Sequence, residues 1–421
     1  MSPQSHASDP GSVGDALTPT PHGNPAGPDA VFPGRVALIQ TILAGFRVPL
    51  FERVAARCTG GLHVFSGRIP EGSGHTSGAG LRTAQHTLGH NASFLPTPLT
   101  LVFQRGVMDW LERTDPDILW CESNPRVVTT RRAVAWMRRR GRPVLGWGMG
   151  TMRLSRGFDS LRALALGRLV RSFDAMVCYG SQAKRGYAQF GVNPERIWIA
   201  YNAMALRPTR PAPQRPPVTD PAAWRPTVLF VGRINPEKRL DMLLHACAAV
   251  EPGRAPRLLI VGDGPSRAAD QELASRVYPR AEFLGPKFGP ELEPVFESAD
   301  LFVLPGLGGL AIQQAMSYAL PVISGEADGT QHDLLRPGNG WIVPPNDQAA
   351  LTATLGDALS DPQRLRAMGQ EGYRIVRDEI NIERMADTVL DALIHTHGRA
   401  AGHGPVAAHG GLAGGAPARR V

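Results

Sequence analysis

The chain has 421 residues, which is long for one domain, and 43% of them are hydrophobic, enough for two or three cores. We expect neither a transmembrane helix nor a secretory signal, because no apolar run approaches 18 residues and residues 1–30 lack a charged start and an apolar core. Four widely spaced cysteines argue against a zinc site or a disulfide framework and favour a cytoplasmic location, while a net charge of +8 allows anionic partners.

Short apolar segments alternate with amphipathic ones through the first half of the chain. Residues 1–33 are rich in proline, glycine and serine and are predicted to be disordered. Strands are then predicted at residues 36–40, 62–65, 118–121, 144–147 and 175–179, with helices at 48–57 and 128–140. Residues 66–98 lack periodicity and are predicted to form a long loop or lid. The alternation predicts a parallel sheet covered on both faces, over residues 34–205.

A proline-rich segment separates this half from the next. Residues 206–226 contain seven prolines, which fit neither a helix interior nor a central strand and therefore predict a linker. The alternation restarts with strands predicted at residues 227–231, 257–261, 281–283, 301–304 and 321–323. The second domain is predicted over residues 227–396, with a disordered tail at 397–421. The predicted fold is α/β, with two Rossmann-like parallel-sheet domains facing each other across a cleft.

Three glycine-containing turns follow predicted strands of the second half. The first holds Gly232, with Arg233 and Lys238 after it; the second holds Gly262; the third precedes a helix near Gly309. Glycines at a helix N-terminus let backbone N–H groups approach a phosphate, and the helix dipole favours its charge. Because the carboxyl ends of parallel strands share one edge of a sheet, the turns are predicted to converge on an anion the size of a diphosphate.

The motifs of the second half resemble, in order, those of the C-terminal domain of family 4 retaining glycosyltransferases of the GT-B fold. The matching strings are VGRINPEKRLDMLL, LLIVGDGP, EFLGP, ADLFVLPG, GLAIQQAM, ALPVISG and GNGWIVPPND, within residues 226–395. The first half is more weakly similar to one subgroup of that family, through GFRVPLF, SNPR and GWGMG at residues 45–51, 123–126 and 146–150. The subgroup it most resembles acts in the assembly of bacterial surface polysaccharides.

This resemblance implies transfer of a sugar from a nucleotide diphosphate sugar to an acceptor hydroxyl, with retained anomeric configuration, in polysaccharide or glycolipid assembly. No metal or other cofactor is implied, since fixed cations and a helix N-terminus would stabilise the departing diphosphate. Arg233 and Lys238 match the pair of residues that holds the diphosphate and are the predicted catalytic residues. The other implied donor-binding positions are Gly232, Gly262, Lys287, Gly308, Gly309, Leu310 and Gln314.

Three positions depart from the family pattern. The family usually carries two glutamates eight residues apart in this loop, where the present chain has Gly306 and Gln314. Gln314 still offers a hydrogen bond to a ribose hydroxyl, whereas Gly306 offers only its backbone. Met149 stands where the N-terminal subgroup tends to have histidine. Either the chain is a variant enzyme with other sugar contacts, or it is a catalytically silent relative that binds nucleotide or acts as a scaffold.

Carboxylates and an aromatic residue near predicted strand ends are the remaining site candidates. Glu122 ends one strand, Trp147 ends the next, and Asp328 and Asp333 follow the strand at 321–323. A carboxylate at a strand's carboxyl end is well placed to meet a ligand, although loops also use aspartate to shape turns. Glu122, Trp147 and Asp328 are the predicted contacts of the acceptor or the transferred sugar.

The cations of the chain are unevenly distributed. Eleven arginines and one acid lie between Arg131 and Arg171, and only Lys184, Lys238 and Lys287 are lysines. Such a patch is broader than the Debye length of ~8 Å at physiological salt. The alternative is a set of ordinary solvated helix faces. We predict peripheral contact of the first domain with an anionic membrane, at its cytoplasmic face, near a lipid-linked or saccharide acceptor.

Two other classes of protein are disfavoured by the same residues. A nicotinamide-dependent oxidoreductase should carry G-x-G-x-x-G after its first strand, with an acidic residue ~20 positions later, and the chain has no such arrangement. A nucleic-acid binder should show a recognised module or aromatic residues between the basic ones, and neither is present. Nucleic acid is therefore not a predicted partner.

Overall fold

The computed structural model describes residues 27, 29–68, 80–94, 100–150, 159–220 and 223–402. Within these ranges the chain forms two sheets, one on each side of the proline-rich segment, and helices cover both. The predicted α/β architecture with two parallel-dominated sheets is confirmed. Both predicted tails lie largely outside the described residues.

The first sheet is built from the first eight strands of the chain. They are β1 (Val36–Ile42), β2 (Leu62–Gly67), β3 (Gln85–Phe94), β4 (Leu101–Arg105), β5 (Ile118–Glu122), β6 (Val144–Gly148), β7 (Ala175–Cys178) and β8 (Ile197–Ile199). Their order is β4-β3-β2-β1-β5-β6-β7-β8, and β3 with β4 is the antiparallel pair. The helices are α1 (Val48–Ala55), α2 (Val107–Thr114), α3 (Val128–Arg139), α4 (Asp159–Val170) and α5 (Ser181–Gln189). The continuous burial of Ile118 to Cys121 in β5 is typical of a strand covered on both faces.

The prediction of a long loop at residues 66–98 is wrong for β3. This strand pairs in parallel with β2 and antiparallel with β4, so its backbone hydrogen bonds come from both neighbours. Its side chains are mostly polar and none is fully buried, which explains why no apolar pattern marks it. Gly89 lies directly under Phe65, where an added Cβ would be 2.2 Å from the ring. Residues 69–79 and 95–98 of the predicted loop lie outside the described residues.

The second sheet is parallel throughout its six strands. They are β9 (Thr227–Val231), β10 (Arg257–Val261), β11 (Ala281–Gly285), β12 (Leu301–Leu304), β13 (Val322–Gly325) and β14 (Gly340–Val343), in the order β11-β10-β9-β12-β13-β14. The helices that follow are α6 (Leu240–Ala249), α7 (Arg267–Val277), α8 (Glu293–Ser298), α9 (Leu310–Ser317), α10 (Gln331–Leu334), α11 (Gln348–Ala358), α12 (Pro362–Asp378) and α13 (Ile382–Ala400). The strand order places β9, β10 and β12 side by side, so their carboxyl ends form one edge.

The last helix belongs to the first core, which corrects the predicted second domain of residues 227–396. The apolar stripe of α13 is buried with α1 and the first sheet, through Ile382, Met385, Ala386, Val389, Leu390 and Leu393. Two ion pairs join α13 to α1 and to the turn that follows it, from Arg53 to Glu383 at 2.8 Å and from Arg57 to Asp387 at 2.7 Å. The helix also continues to Ala400, four residues into the segment predicted as a tail. Its periodicity predicts a helix but not the sheet on which it packs.

No helix in the described part of the chain combines the length and apolarity needed to cross a bilayer.

Candidate active site

The loops after β9 and β10 are bonded to each other. The N–H of Gly232 donates to the carbonyl of Val261 at 3.0 Å, and the N–H of Ile234 donates to the carbonyl of Asp263 at 2.9 Å. Gly262 has φ +141°, and a Cβ there would lie 1.9 Å from the Gly232 oxygen. A glycine is therefore required at 262. Gly232 and Gly262 bring the backbones of the two loops into close contact at the carboxyl edge of the sheet.

Lys238 lies against the loop between β12 and α9. Its Nζ donates to the carbonyl of Leu307, and the N–H of Leu307 donates back to the carbonyl of Glu237 at 2.8 Å. The side chain is half-buried, and this burial lowers the pKa of Lys238, while the charges of Asp328 and Glu237 act in the opposite direction. The ammonium is thus fixed beside the start of α9 rather than extended into solvent.

The backbone at the start of α9 is open for an anion. Gly309 is the N-cap, Leu310 is the first helical residue, and the N–H groups of residues 308–310 donate no hydrogen bond to any residue that the structure describes. The first N–H groups of a helix have no partner within it, and the helix dipole makes this end positive. A lysine at such an end is unfavourable unless an anion balances both charges. Lys238 and the α9 N-terminus together therefore make this edge positively charged, which suits an anion.

The space at residue 306, where the chain has glycine, is filled by the turn that carries Lys238. A Cβ on Gly306 would lie 2.0 Å from the carbonyl oxygen of Glu237 and 2.5 Å from the carbonyl carbon of Lys238. The turn that carries Lys238 packs directly on Gly306, so no side chain fits there in this arrangement. Gln314, the second departure, is half-buried on α9.

Among carboxylates, Asp328 has the largest effect on Lys238, where its charge raises the pKa of the lysine. It follows β13, and its Oδ1 accepts from the N–H of Thr330 at 3.0 Å and from the Thr330 hydroxyl at 2.6 Å. Thr330 in turn borders Gly309, whose added Cβ would be 2.9 Å from the threonine Oγ1. The structure therefore brings Asp328, Lys238 and the loop 306–310 together at the same edge.

The two remaining predicted cations are more exposed. Arg233 is exposed in the turn after β9, and Lys287 is half-exposed after β11, two strands away from β9. Both lie at the carboxyl edge, because the second sheet is parallel. The described residues contain no group of three or more side chains arranged to hold a metal ion.

The first domain has its own cavity, of about 400 Å³, at the carboxyl ends of β5 and β6. It is lined by Glu122, Ser123, Asn124, Pro125, Arg126, Trp147, Gly148, Met149, Gly150, Leu166, Tyr179 and Tyr187. Glu122 accepts a hydrogen bond from the Thr41 hydroxyl, and burial raises the pKa of Glu122. Trp147 is 2% exposed and packs among Phe51, Trp120 and Tyr179, so it forms a wall of the cavity. Met149, in contrast, is 44% exposed at the rim.

The two domains touch at a point that sequence reasoning missed. The N–H of Ser181, the first residue of α5, donates to Asp333 Oδ2 at 2.9 Å, and the Gln182 side chain covers Gly329. Asp333, a candidate catalytic carboxylate in the sequence, is therefore an interdomain contact. Burial raises the pKa of Asp333, and the hydrogen bonds from Ser181 oppose that shift. The pairing joins residues 152 positions apart, so no local pattern marks it.

The part of the chain that carries this site is similar to known proteins. Residues 225–361, which include Lys238 and the start of α9, match the family model described as Glycosyl transferases group 1. A D-inositol 3-phosphate glycosyltransferase of Nocardia farcinica is 31% identical over 225 residues, covering 49% of this chain and 50% of that protein. A GDP-mannose-dependent alpha-mannosyltransferase of Mycobacterium tuberculosis is 38% identical over 124 residues, covering 29% and 30%. The chain spans about half the length of the curated relatives it matches.

Solved structures match over a larger share of the chain. The lipopolysaccharide outer core galactosyltransferase WaaB superposes with a TM-score of 0.63 at 17% identity, over 84% of this chain and 99% of that one. Alr3699/HepE of Anabaena, solved with UDP and glucose, gives 0.62 at 15% identity, over 86% and 99%. These are GT-B glycosyltransferase structures. The chain has the GT-B fold, and its residues 225–361 are similar to the Glycosyl transferases group 1 family.

Proposed function

We propose that the protein is a glycosyltransferase that moves a hexose from a nucleotide diphosphate sugar to an acceptor hydroxyl, with retained anomeric configuration. The observation that carries the proposal is the half-buried Lys238 fixed beside the open N–H groups of residues 308–310. When the bond from the sugar to the diphosphate breaks, negative charge grows on the departing oxygen. Fixed donors and cations aimed at that charge lower the barrier without a metal ion. The names of the relatives, which include GDP-mannose-dependent mannosyltransferases, support the reaction class.

In this proposal the other donor residues lie around the diphosphate. Arg233, in the turn after β9, is a second cation for the phosphates. Gln314 forms one hydrogen bond with a ribose hydroxyl. Lys287, two strands away, lies toward the base. Asp328 takes over the contact to the transferred sugar, because Gly306 has no room for the carboxylate that the family carries there. The position of Asp328, bonded to Thr330, which borders Gly309 at the start of α9, supports this assignment.

The acceptor is proposed to bind in the cavity of the first domain. Its walls are largely aromatic and apolar, with Trp147 and Tyr179 on one side, and Glu122 is the carboxylate among the residues that line it. Aromatic faces suit the apolar side of a sugar or a cyclic polyol, and a few polar groups fix its orientation. An acceptor hydroxyl bonded to Glu122 would face the cleft. A saccharide or the polar head of a lipid-linked acceptor fits this description.

The experiment that tests the proposed function is incubation of the protein with UDP-, GDP- and dTDP-hexoses, with and without saccharide and lipid acceptors. We expect nucleotide diphosphate to be released from one donor class, faster when acceptor is present, with the product anomer the same as the donor anomer. Binding of a nucleotide with no release under any condition would instead support a catalytically silent relative.

The arginine-rich face of the first domain is proposed to contact an anionic membrane at its cytoplasmic side. Arg131, Arg132, Arg138 and Arg139 of α3 are exposed, and no carboxylate of the described chain pairs with them. In contrast, Arg140 and Arg142 are paired with Glu112 and Asp115. Each unpaired cation near an anionic surface contributes ~1 kcal/mol of binding. The residues at 151–158, which carry further arginines, lie outside the described ranges.

Replacing Arg131 and Arg138 with alanine is expected to weaken binding to vesicles that contain anionic lipid by about 30-fold, since two contributions of ~1 kcal/mol are lost. Co-sedimentation at physiological salt measures the change. Arg254→Ala with Arg280→Ala is the control, because it removes the same charge from exposed positions of the second domain. Binding that does not depend on the anionic lipid content, or an equal loss in the control, would contradict the membrane proposal.

A further inference from the structure

The chain passes between its two domains twice, and the two passages lie side by side. Residues 200–206, the first crossover, leave β8 of the first sheet, and residues 379–381, the second crossover, join α12 of the second domain to α13 on the first. The N–H of Ile382 donates to the carbonyl of Ala205 at 3.1 Å. Any rotation of one domain against the other must therefore bend both crossovers together.

The side chain of Gln313 joins both crossovers to the second domain. Its Oε1 accepts from the N–H of Met204 at 3.1 Å and from the N–H of Ala205 at 2.8 Å, and its Nε2 donates to the carbonyl of Ile380 at 3.0 Å. The residue is fully buried. Glutamine suits this position because one amide both accepts two hydrogen bonds and donates another.

Arg47 of the first domain bonds the first crossover and the first turn of α13. Its guanidinium donates to Asn202 Oδ1 at 2.7 Å, to the carbonyl of Ala203 at 3.4 Å and to the Met385 sulfur at 3.6 Å, and it is 7% exposed. The first crossover is thus bonded by one buried polar side chain from each domain, and the second crossover is bonded by Gln313. This arrangement is typical of a hinge whose two halves are each attached to a rigid body.

Gln313 is also one helical turn from the proposed diphosphate site. It lies in the first turn of α9, and its backbone N–H donates to the carbonyl of Gly309, the N-cap residue. A displacement of the start of α9 therefore moves the Gln313 amide, and with it both crossovers. No other side chain of the described residues bonds to both crossovers.

We propose that Gln313 is a positioning residue that couples occupancy of the diphosphate site to closure of the two domains. The inference rests on the proposed function for the identity of the ligand at α9, but the attachment of the hinge to α9 does not. In the closed arrangement the sugar of the donor is brought to the acceptor cavity of the first domain. Gln313 does not touch the donor itself.

Hydrogen exchange at the crossovers tests the proposal on the full chain, with UDP and GDP as probes. Without nucleotide, Gln313→Met is expected to accelerate exchange at residues 203–206 and 380–384 by at least tenfold, because three backbone groups lose their partner. In the wild type, nucleotide is expected to slow exchange at both crossovers as well as at residues 306–312. In Gln313→Met it should slow exchange at 306–312 alone. Turnover should fall at least tenfold, while KM for the donor stays within threefold.

Gln348→Met is the matched control, because that amide joins α11 to the Met242 carbonyl within the second domain and lies away from both crossovers. Gln313→Glu is the second variant, since it keeps the oxygen that accepts from the first crossover and should mainly release the second. Crossover exchange unchanged in the Gln313 variants, or protection by nucleotide that persists at the crossovers of Gln313→Met, would overturn the coupling. Lack of protection at 306–312 in the wild type would count against the proposed function instead, and the nucleotide-free arm would still decide the hinge attachment.

Discussion

Replacing Lys238 with alanine is expected to lower kcat for sugar transfer by about 100- to 1,000-fold, the loss seen when one fixed group that stabilises a developing negative charge is removed. The ammonium is held by the Leu307 carbonyl at the start of α9, so its position does not depend on the ligand. Steady-state kinetics with the active donor measures the effect. Lys238→Arg keeps the charge but not the compact shape, and it should restore only a small part of the rate.

Two comparisons make this result specific. Lys184→Ala removes the half-buried lysine of α5, to which we assign no role, and it should keep the wild-type rate within a few-fold. Binding of Lys238→Ala to anionic vesicles should match the wild type, because the exposed arginines of α3 are proposed to carry that interaction. A wild-type transfer rate for Lys238→Ala, or equal loss of transfer and vesicle binding, would contradict the assignment of two separate anion sites.

Gly306→Glu is expected to impair the protein, although it restores the residue that the family usually carries. The Cβ alone would overlap the backbone of Glu237 and Lys238, so the turn that positions Lys238 must move. Overpacking of this kind costs about 1–3 kcal/mol of folding free energy. We expect Tm to fall by roughly 5 °C and transfer to fall at least tenfold, as measured by thermal unfolding and donor turnover.

Alanine substitutions separate the steric effect from that of charge. Gly306→Ala should reproduce most of the destabilisation, because the clash already begins at Cβ. Gly356→Ala, in the exposed interior of α11 with no atom near the added Cβ, should instead raise stability by about 0.5–1 kcal/mol. If Gly306→Glu proved more active than the wild type, the chain would have lost a useful carboxylate, and the proposed role of Asp328 would be wrong.

The two-domain α/β fold could be predicted because the central strands, such as β5 and β9, are short apolar runs bounded by turns. β3 could not be predicted, since it is stabilised by pairing with β2 and β4 and its side chains are polar. The placement of α13 was missed for a similar reason. An amphipathic helix shows which face is buried, but not which of two sheets covers it.

The candidate site, too, could be predicted only in part from the sequence. The glycine turns and Lys238 are adjacent in sequence to the strands that position them, so their convergence follows from the parallel sheet. The crowding at Gly306, the contact of Asp333 and the bonds of Gln313 all involve residues 67 to 152 positions away, so no local sequence pattern marks them. From the sequence, Gly306 is interpreted as the loss of a sugar-binding side chain. In the structure, the turn that carries Lys238 fills the space that a side chain at 306 would need.

Thermal unfolding with UDP, GDP and dTDP, in the wild type and in Lys238→Ala, tests most directly the claim that Lys238 and the start of α9 bind a donor diphosphate. At 100 times its Kd, a nucleotide that binds only the folded state adds about 2.7 kcal/mol of stability. We predict that one nucleotide raises the wild-type Tm and that Lys238→Ala loses most of that shift at the same concentration. No shift with any of the three nucleotides, or an undiminished shift in Lys238→Ala, would contradict the claim.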